Sequence, residues 1–130
     1  MPLIIHGTIG TRDLDLTVVT GANRSLLKRD LFQDEVPRNP GKYSARSQIG
    51  TEIRVYGEVT LNTRLNNITC PHTYILADIV VDCILGSDFL KQNHATLDIV
   101  DQKIVLRADI PMIMTESSVP LMLGCTVTEN

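Results

Sequence analysis

Apolar and polar positions alternate along much of this chain, and the period is closer to two than to 3.6. Leu3-Ile4-Ile5-His6-Gly7-Thr8-Ile9 reads as a strand, Gly10-Thr11-Arg12-Asp13 as a turn, and Leu14-Asp15-Leu16-Thr17-Val18-Val19 as the second arm of a hairpin. Thr20-Gly21-Ala22-Asn23 breaks the pattern, and a short helix is expected from Ser25 through Phe32 with Ser25 as its cap. Pro37, Pro40 and Gly41 make Gln33 to Lys42 a loop. Strands are predicted at Tyr43 to Gln48 and Glu52 to Thr63 around an Ile49-Gly50-Thr51 tip. In the second arm Ile53, Val55, Val59 and Leu61 are apolar at alternate positions and Gly57 interrupts. Leu65-Asn66-Asn67 is another turn, followed by strands at Ile68 to Leu76 and Val80 to Leu85. Gly86 to Asn93 reads as one to two helical turns, with Ser87 or Asp88 where a carboxylate suits the helix dipole. Ala95 to Val100 and Lys103 to Arg107 form a hairpin around Asp101-Gln102, and Met112 to Met114 and Leu121 to Val127 are late strands.

Many short strands, one or two short helices and no βαβ alternation predict an all-β, closed or barrel-like sheet. The chain has 130 residues, the length of one domain. Its apolar content of 43% supports a core. The formal charge of −3 argues against an electrostatic nucleic-acid binder. No apolar run approaches the roughly 20 residues needed to cross a bilayer, and the start lacks a secretory pattern. Cys70, Cys83 and Cys125 are odd in number and fit no CxxC pair. A disulfide framework is therefore not expected, and reduced intracellular surroundings, the cytoplasm, are. No basic residue follows Arg107, so residues 1–107 are expected to form the domain and 108–130 a distinct tail, either a linker or a source of strands for a dimer interface.

Two segments matter together. Leu16-Thr17-Val18-Val19-Thr20-Gly21-Ala22-Asn23-Arg24-Ser25 is an apolar strand running into a glycine turn. Asp82-Cys83-Ile84-Leu85-Gly86-Ser87-Asp88-Phe89-Leu90 is an apolar strand ending in glycine before a helix. A glycine-tipped hairpin lies between them. In that order and at that spacing the chain resembles the retroviral and retrotransposon aspartic proteases, the retropepsin family. Their pattern is an apolar strand, Asp-Thr/Ser-Gly-Ala, a flap hairpin, and Ile-Leu-Gly-x-Asp-x-Leu. The resemblance runs from about Leu3 to Leu106. Ile84, Leu85, Gly86 and Asp88 match the later motif, and Tyr56-Gly57-Glu58-Val59-Thr60-Leu61 resembles the strand behind the flap.

The chain departs from that pattern at Val19, where the catalytic aspartate would stand before Thr20, Gly21 and Ala22. Aspartic proteases need two neighbouring carboxylates that share a proton, one ionised and one protonated. The resemblance implies one carboxylate per subunit of a homodimer, and a valine supplies neither a lone pair nor a proton. Asp15 lies four residues earlier, about 13 Å along a strand, Asp13 lies further off, and the acid at Asp88 is structural in the family. No catalytic residue is therefore assigned as written. A valine in place of a buried carboxylate also removes a desolvation cost. Natural loss is favoured over laboratory change, because Asn or Ala is the usual deliberate replacement.

The resemblance further implies that Thr20 bonds across a dimer axis and that Gln48, Ile49, Gly50 and Thr51 form a flap over a bound peptide. Cys70-Pro71-His72 lacks a second pair at zinc spacing, so no metal or cofactor is expected. His6 and His94 read as surface or turn residues, and Arg24 either pairs with an acid or is solvated. The expected partners are a second copy of the chain and a peptide, not a nucleic acid or a membrane. Three functions follow: a dimerising or peptide-binding pseudoprotease, an endopeptidase captured as an Asp-to-Val variant, or an unrelated small β-barrel binding module.

Overall fold

The computed structural model describes residues 3–106, 109–114 and 123–130. Arg107 and Ala108, where the expected domain boundary falls, and Leu121 and Met122 of the last expected strand lie outside them. Strands β1 (Leu3–Ile9) and β2 (Arg12–Val18) form the predicted hairpin, paired from Leu3↔Val18 to Ile9↔Arg12. Alternation does what it should: Leu14, Leu16 and Val18 turn inward on β2 and Ile5 and Ile9 on β1, with Ile5 directly opposite Leu16. The long hairpin of β6 (Val55–Leu65) and β7 (Ile68–Ala77) turns at Asn66, whose φ of 53° suits asparagine. A bulge between Val55 and Gly57 marks the interruption seen in the sequence.

Two short strands complete the barrel, β3 (Leu26–Lys28) and β8 (Cys83–Leu85). The order β1-β2-β8-β3-β7-β6 closes when β6 pairs back onto β1 through Thr8↔Arg64 and Ile9↔Thr63. Two of these contacts are parallel, β2 with β8 and β3 with β7. The expected helix from Ser25 through Phe32 is corrected here. Leu26 and Leu27 are fully buried in ladders with β7 and β8, and only Arg29–Phe32 coils, as a single 3-10 turn. Tertiary pairing overrides local propensity. Ser25 is no helix cap either, because its hydroxyl serves Gly86 and Asp88. The strand expected from Val80 is confined to β8, and Val80 itself is exposed.

Helix α1 (Ser87–Gln92) buries Phe89 against the barrel. Two smaller sheets lie outside the ring. In one, β9 (Thr96–Asp98), β10 (Lys103–Val105) and β11 (Asp109–Pro111) stack in the order β11-β10-β9. In the other, β4 (Tyr43–Ser47) is flanked by β5 (Glu52–Ile53) and by β13 (Cys125–Glu129). A further strand, β12 (Ile113–Met114), joins the edge of β1. The segment after residue 108 thus reaches three different sheets.

Buried apolar side chains fall into two clusters. The barrel interior holds Ile5, Ile9, Leu16, Leu27, Leu65, Leu76, Leu85 and Phe89. The second gathers Val19, Ala22, Ala45, Ile79 and Ile84 beneath Leu123, Cys125 and Val127. Among the described residues no helix is long and apolar enough to cross a membrane.

Candidate functional site

The two segments singled out in the sequence meet in space. Parallel pairing sets Thr17 beside Ile84 and Val18 beside Leu85, and the Val19 amide continues the ladder to the Leu85 carbonyl at 2.9 Å. The chain then turns sharply, with the Ala22 amide donating to the Val19 carbonyl at 3.1 Å. The Ala22 carbonyl in turn accepts from the Ser87 amide at 2.7 Å. This close approach explains Gly86: a Cβ there would stand 2.6 Å from the carbonyl oxygens of Ala22 and Arg24.

Val19 is 9% exposed and belongs to the second apolar cluster, whereas Thr20 and Gly21 stand in solvent. Among the described residues no carboxylate replaces the missing acid. Asp15 and Asp13 lie toward the far end of β2, where Asp15 contacts His6 Nδ1 at 2.6 Å and Asp13 accepts from the Thr8 hydroxyl at 2.8 Å, both exposed. Asp78 borders the cleft but accepts from the Tyr56 hydroxyl at 3.2 Å on an exposed side. A lone acid makes no proton-sharing pair.

Asp88 is a structural hub. Its carboxylate accepts from the Ser25 hydroxyl at 2.7 Å, the Ser25 amide at 3.0 Å and the Phe89 amide at 2.7 Å. His72 Nε2 lies 3.0 Å away and Arg24 Nε 3.4 Å. Burial opposes ionisation of this group, yet the hydrogen bonds from His72 and Ser25 outweigh it and hold its carboxyl below the ordinary value. Arg24 also stacks 4.9 Å from the centre of the Tyr43 ring. His72, read in sequence only as a non-ligand, is buried. Its other nitrogen meets Gln92 at 3.0 Å, and its ring packs edge-on against Tyr74 and Phe89. Among the described residues no group of three or more His, Cys, Asp or Glu could hold a metal ion.

Gln48, Ile49, Gly50 and Thr51 form the tip between β4 and β5. The Gly50 amide donates to the Ser47 carbonyl at 2.9 Å, the Ser47 amide to the Thr51 carbonyl at 2.8 Å, and Gly50 takes a φ of 85°. Ile49 projects from this tip into solvent at 74% exposure.

The sequence signalled a late strand ending at Val127 but not what it pairs with inside the chain. Strand β13 lies along β4 with Cys125↔Ser47, Val127↔Ala45 and Glu129↔Tyr43 in register. On its other edge the Asn23 side-chain amide donates to the Val127 carbonyl and accepts from the Val127 amide, both at 2.8 Å. The partners are 104 residues apart, and no local signal announces them. At Gly124 a Cβ would lie 2.6 Å from the Gln48 side chain, so glycine lets the strand slide beneath that residue. Burial lifts the Cys125 thiol to a pKa of about 11. Beyond Leu123 a cavity of about 130 Å³ remains, bounded by Ser47, Ile53, Ile79, Val80 and Ile84.

No protein-family model matches the chain, and no curated protein does. Among solved structures it is similar to the retroviral protease-like domain of Ddi1 from Leishmania major. The TM-score is 0.71 at 18% identity, over 88% of this chain and 95% of that one. It is also similar to the EIAV protease in complex with the inhibitor HBY-793. There the TM-score is 0.58 at 22% identity, over 74% of this chain and 91% of that one. Both likenesses concern the fold: the chain has the retropepsin-like, all-β architecture that the motifs implied, and an unrelated barrel loses its support.

Proposed function

We propose that this chain is a pseudoprotease, a retropepsin-like unit that has given up peptide hydrolysis and serves as a homodimerisation and peptide-binding module. The observation that carries the reading is Val19, a buried hydrocarbon side chain on the loop that would present the catalytic acid. With valine at that position and, among the described residues, no carboxylate beside it, the proton-sharing pair that activates water in this fold is missing.

Surface chemistry supports association with a second copy. Thr20 and Gly21 are exposed next to the apolar cluster, and Ile49 and Val80 are exposed apolar side chains at 74% and 75%. The edge strand β12 adds Ile113, also exposed. Residues 1–107 form the unit in this reading, and 108–130 extend it toward the interface. A peptide would enter as an added strand beneath the Gln48–Thr51 tip. The expected setting is intracellular, where the buried thiols stay reduced.

A second reading draws on the tight Val19–Ala22 turn, whose backbone bonds are intact around the valine. It holds that the parent is an aspartic endopeptidase and this chain its inactive variant. Substitution separates the two. The pseudoprotease reading expects V19D to remain without pepstatin-sensitive cleavage from mildly acidic to neutral pH, and the unaltered chain to sediment as a dimer at tens of micromolar. Restored cleavage at acidic pH would assign the chain to the second reading, and a strict monomer would remove the dimer from either.

A further inference from the structure

Strand β13 is held as a bound peptide is held. The Gln48 backbone amide donates to the Gly124 carbonyl at 3.0 Å, and the Asn130 backbone amide to the Lys42 carbonyl at 2.8 Å. These two bonds set the phase: even-numbered residues of the strand address β4, and odd-numbered residues address the opposite edge. Val127 is odd, and its amide and carbonyl meet the Asn23 side chain there, which pairs with them as a neighbouring strand would. The strand therefore has partners on both edges although only one of them is a strand.

Side chains follow the same alternation. Leu123, Cys125 and Val127 are at most 5% exposed and cover Val19, Ala22, Ala45, Ile79 and Ile84, while Thr126, Thr128 and Glu129 face water. Removing the strand would uncover an apolar trough with a hydrogen-bonding edge on each side. That is the chemistry of strand-addition recognition, in which main-chain bonds give affinity and alternate pockets give selectivity. The 130 Å³ cavity beyond Leu123 continues the trough past the strand.

We propose that β13 is an intramolecular ligand that keeps this trough closed. The trough accepts in its place an extended peptide with apolar side chains at alternate positions, a small one in the middle, and a main-chain amide and carbonyl opposite Asn23. The proposal rests on the peptide-binding reading above and adds its regulation. A strand docked in 99 molecules of a hundred weakens the apparent affinity of a competing peptide about a hundredfold.

The test uses the full chain and a fluorescently labelled synthetic peptide with the sequence of residues 123–130, read by anisotropy and by amide hydrogen exchange. The unaltered chain is expected to bind the peptide weakly and to protect the amides of residues 43–48 and 124–130. Val127→Asp in the chain places a charge against the apolar cluster; it should release β13 and raise affinity for the unaltered peptide about tenfold or more. Thr126→Pro provides a second route, since it removes an amide aimed at β4 and leaves the buried side chains untouched. Adding Asn23→Ala to either variant should abolish the gain, because Asn23 serves whichever strand is docked. Equal affinity in the unaltered and released chains would overturn the closure while leaving peptide binding standing. No binding by chains whose exchange shows β13 released would overturn both. Protection that disappears on dilution would mean that a second copy supplies the strand, and would overturn the intramolecular assignment.

Discussion

The barrel interior and the cleft cluster are both lined by aliphatic side chains, yet they depend on the chain in different ways. Most of the interior is made by two hairpins, β1–β2 and β6–β7, whose arms are adjacent in sequence and whose alternation is regular. The cleft cluster is assembled from the Val19 loop, β4, Ile79, β8 and a strand that returns from beyond residue 122. The first surface is buried by the fold itself. The second is covered on its outer side by one short strand, so the same kind of contact is structural in one region and, in the closure proposed above, displaceable in the other.

Truncation in the interior gives the largest expected effect. Leu16 is fully buried in mid-strand β2, and Leu16→Ala should cost about 3 kcal/mol of global stability in chemical denaturation. An intermediate effect is expected at the network that ties α1 to the Val19 loop. Asp88→Asn removes the charge that Ser25, His72 and Arg24 surround, and should cost about 2 kcal/mol at neutral pH. The sign with pH follows from the depressed carboxyl. Its contribution is complete above the ordinary value of 3.8 and is lost as pH falls through the lower folded value, so the two proteins should converge in acid. The smallest global effect belongs to Val127→Ala. A strand that can detach caps the loss at its own docking free energy. The denaturation midpoint should shift by less than about 1 kcal/mol, while exchange protection falls across residues 43–48 and 124–130. A global loss as large as that of Leu16→Ala would make β13 an integral part of the fold and erase the contrast.

The contrast also explains what the sequence disclosed. Leu3–Ile9 was legible to the residue, and Ile68 to Leu76 nearly so, because each alternates beside a turn marked by Gly10 or Asn66. Leu26-Leu27 was not, since a short buried run reads equally as helix or strand until β7 and β8 are placed on either side. In the site, the Val19 loop and the Ile84-Leu85-Gly86 strand were visible as motifs, and the structure sets them side by side. Asn23 was passed over because the backbone it recognises lies 104 residues away. His72 gave no sign of its burial, since its partner Asp88 is fixed by helix placement rather than by spacing along the chain.

The seam that closes the barrel carries a kinetic consequence. Thr8 and Ile9 meet Arg64 and Thr63, more than fifty positions away, through only two residue pairs, helped by the Gly10 amide on the Asn62 carbonyl at 2.9 Å. Both hairpins can form early from neighbouring residues, but the ring is complete only after their ends find each other across a long loop, whose closure entropy must be met before the contacts reward it. Refolding of this chain is therefore expected to follow topology, on the millisecond-to-second scale of strand-rich domains, with the β1–β6 seam among the last elements to lock in a stopped-flow or pulsed-exchange experiment.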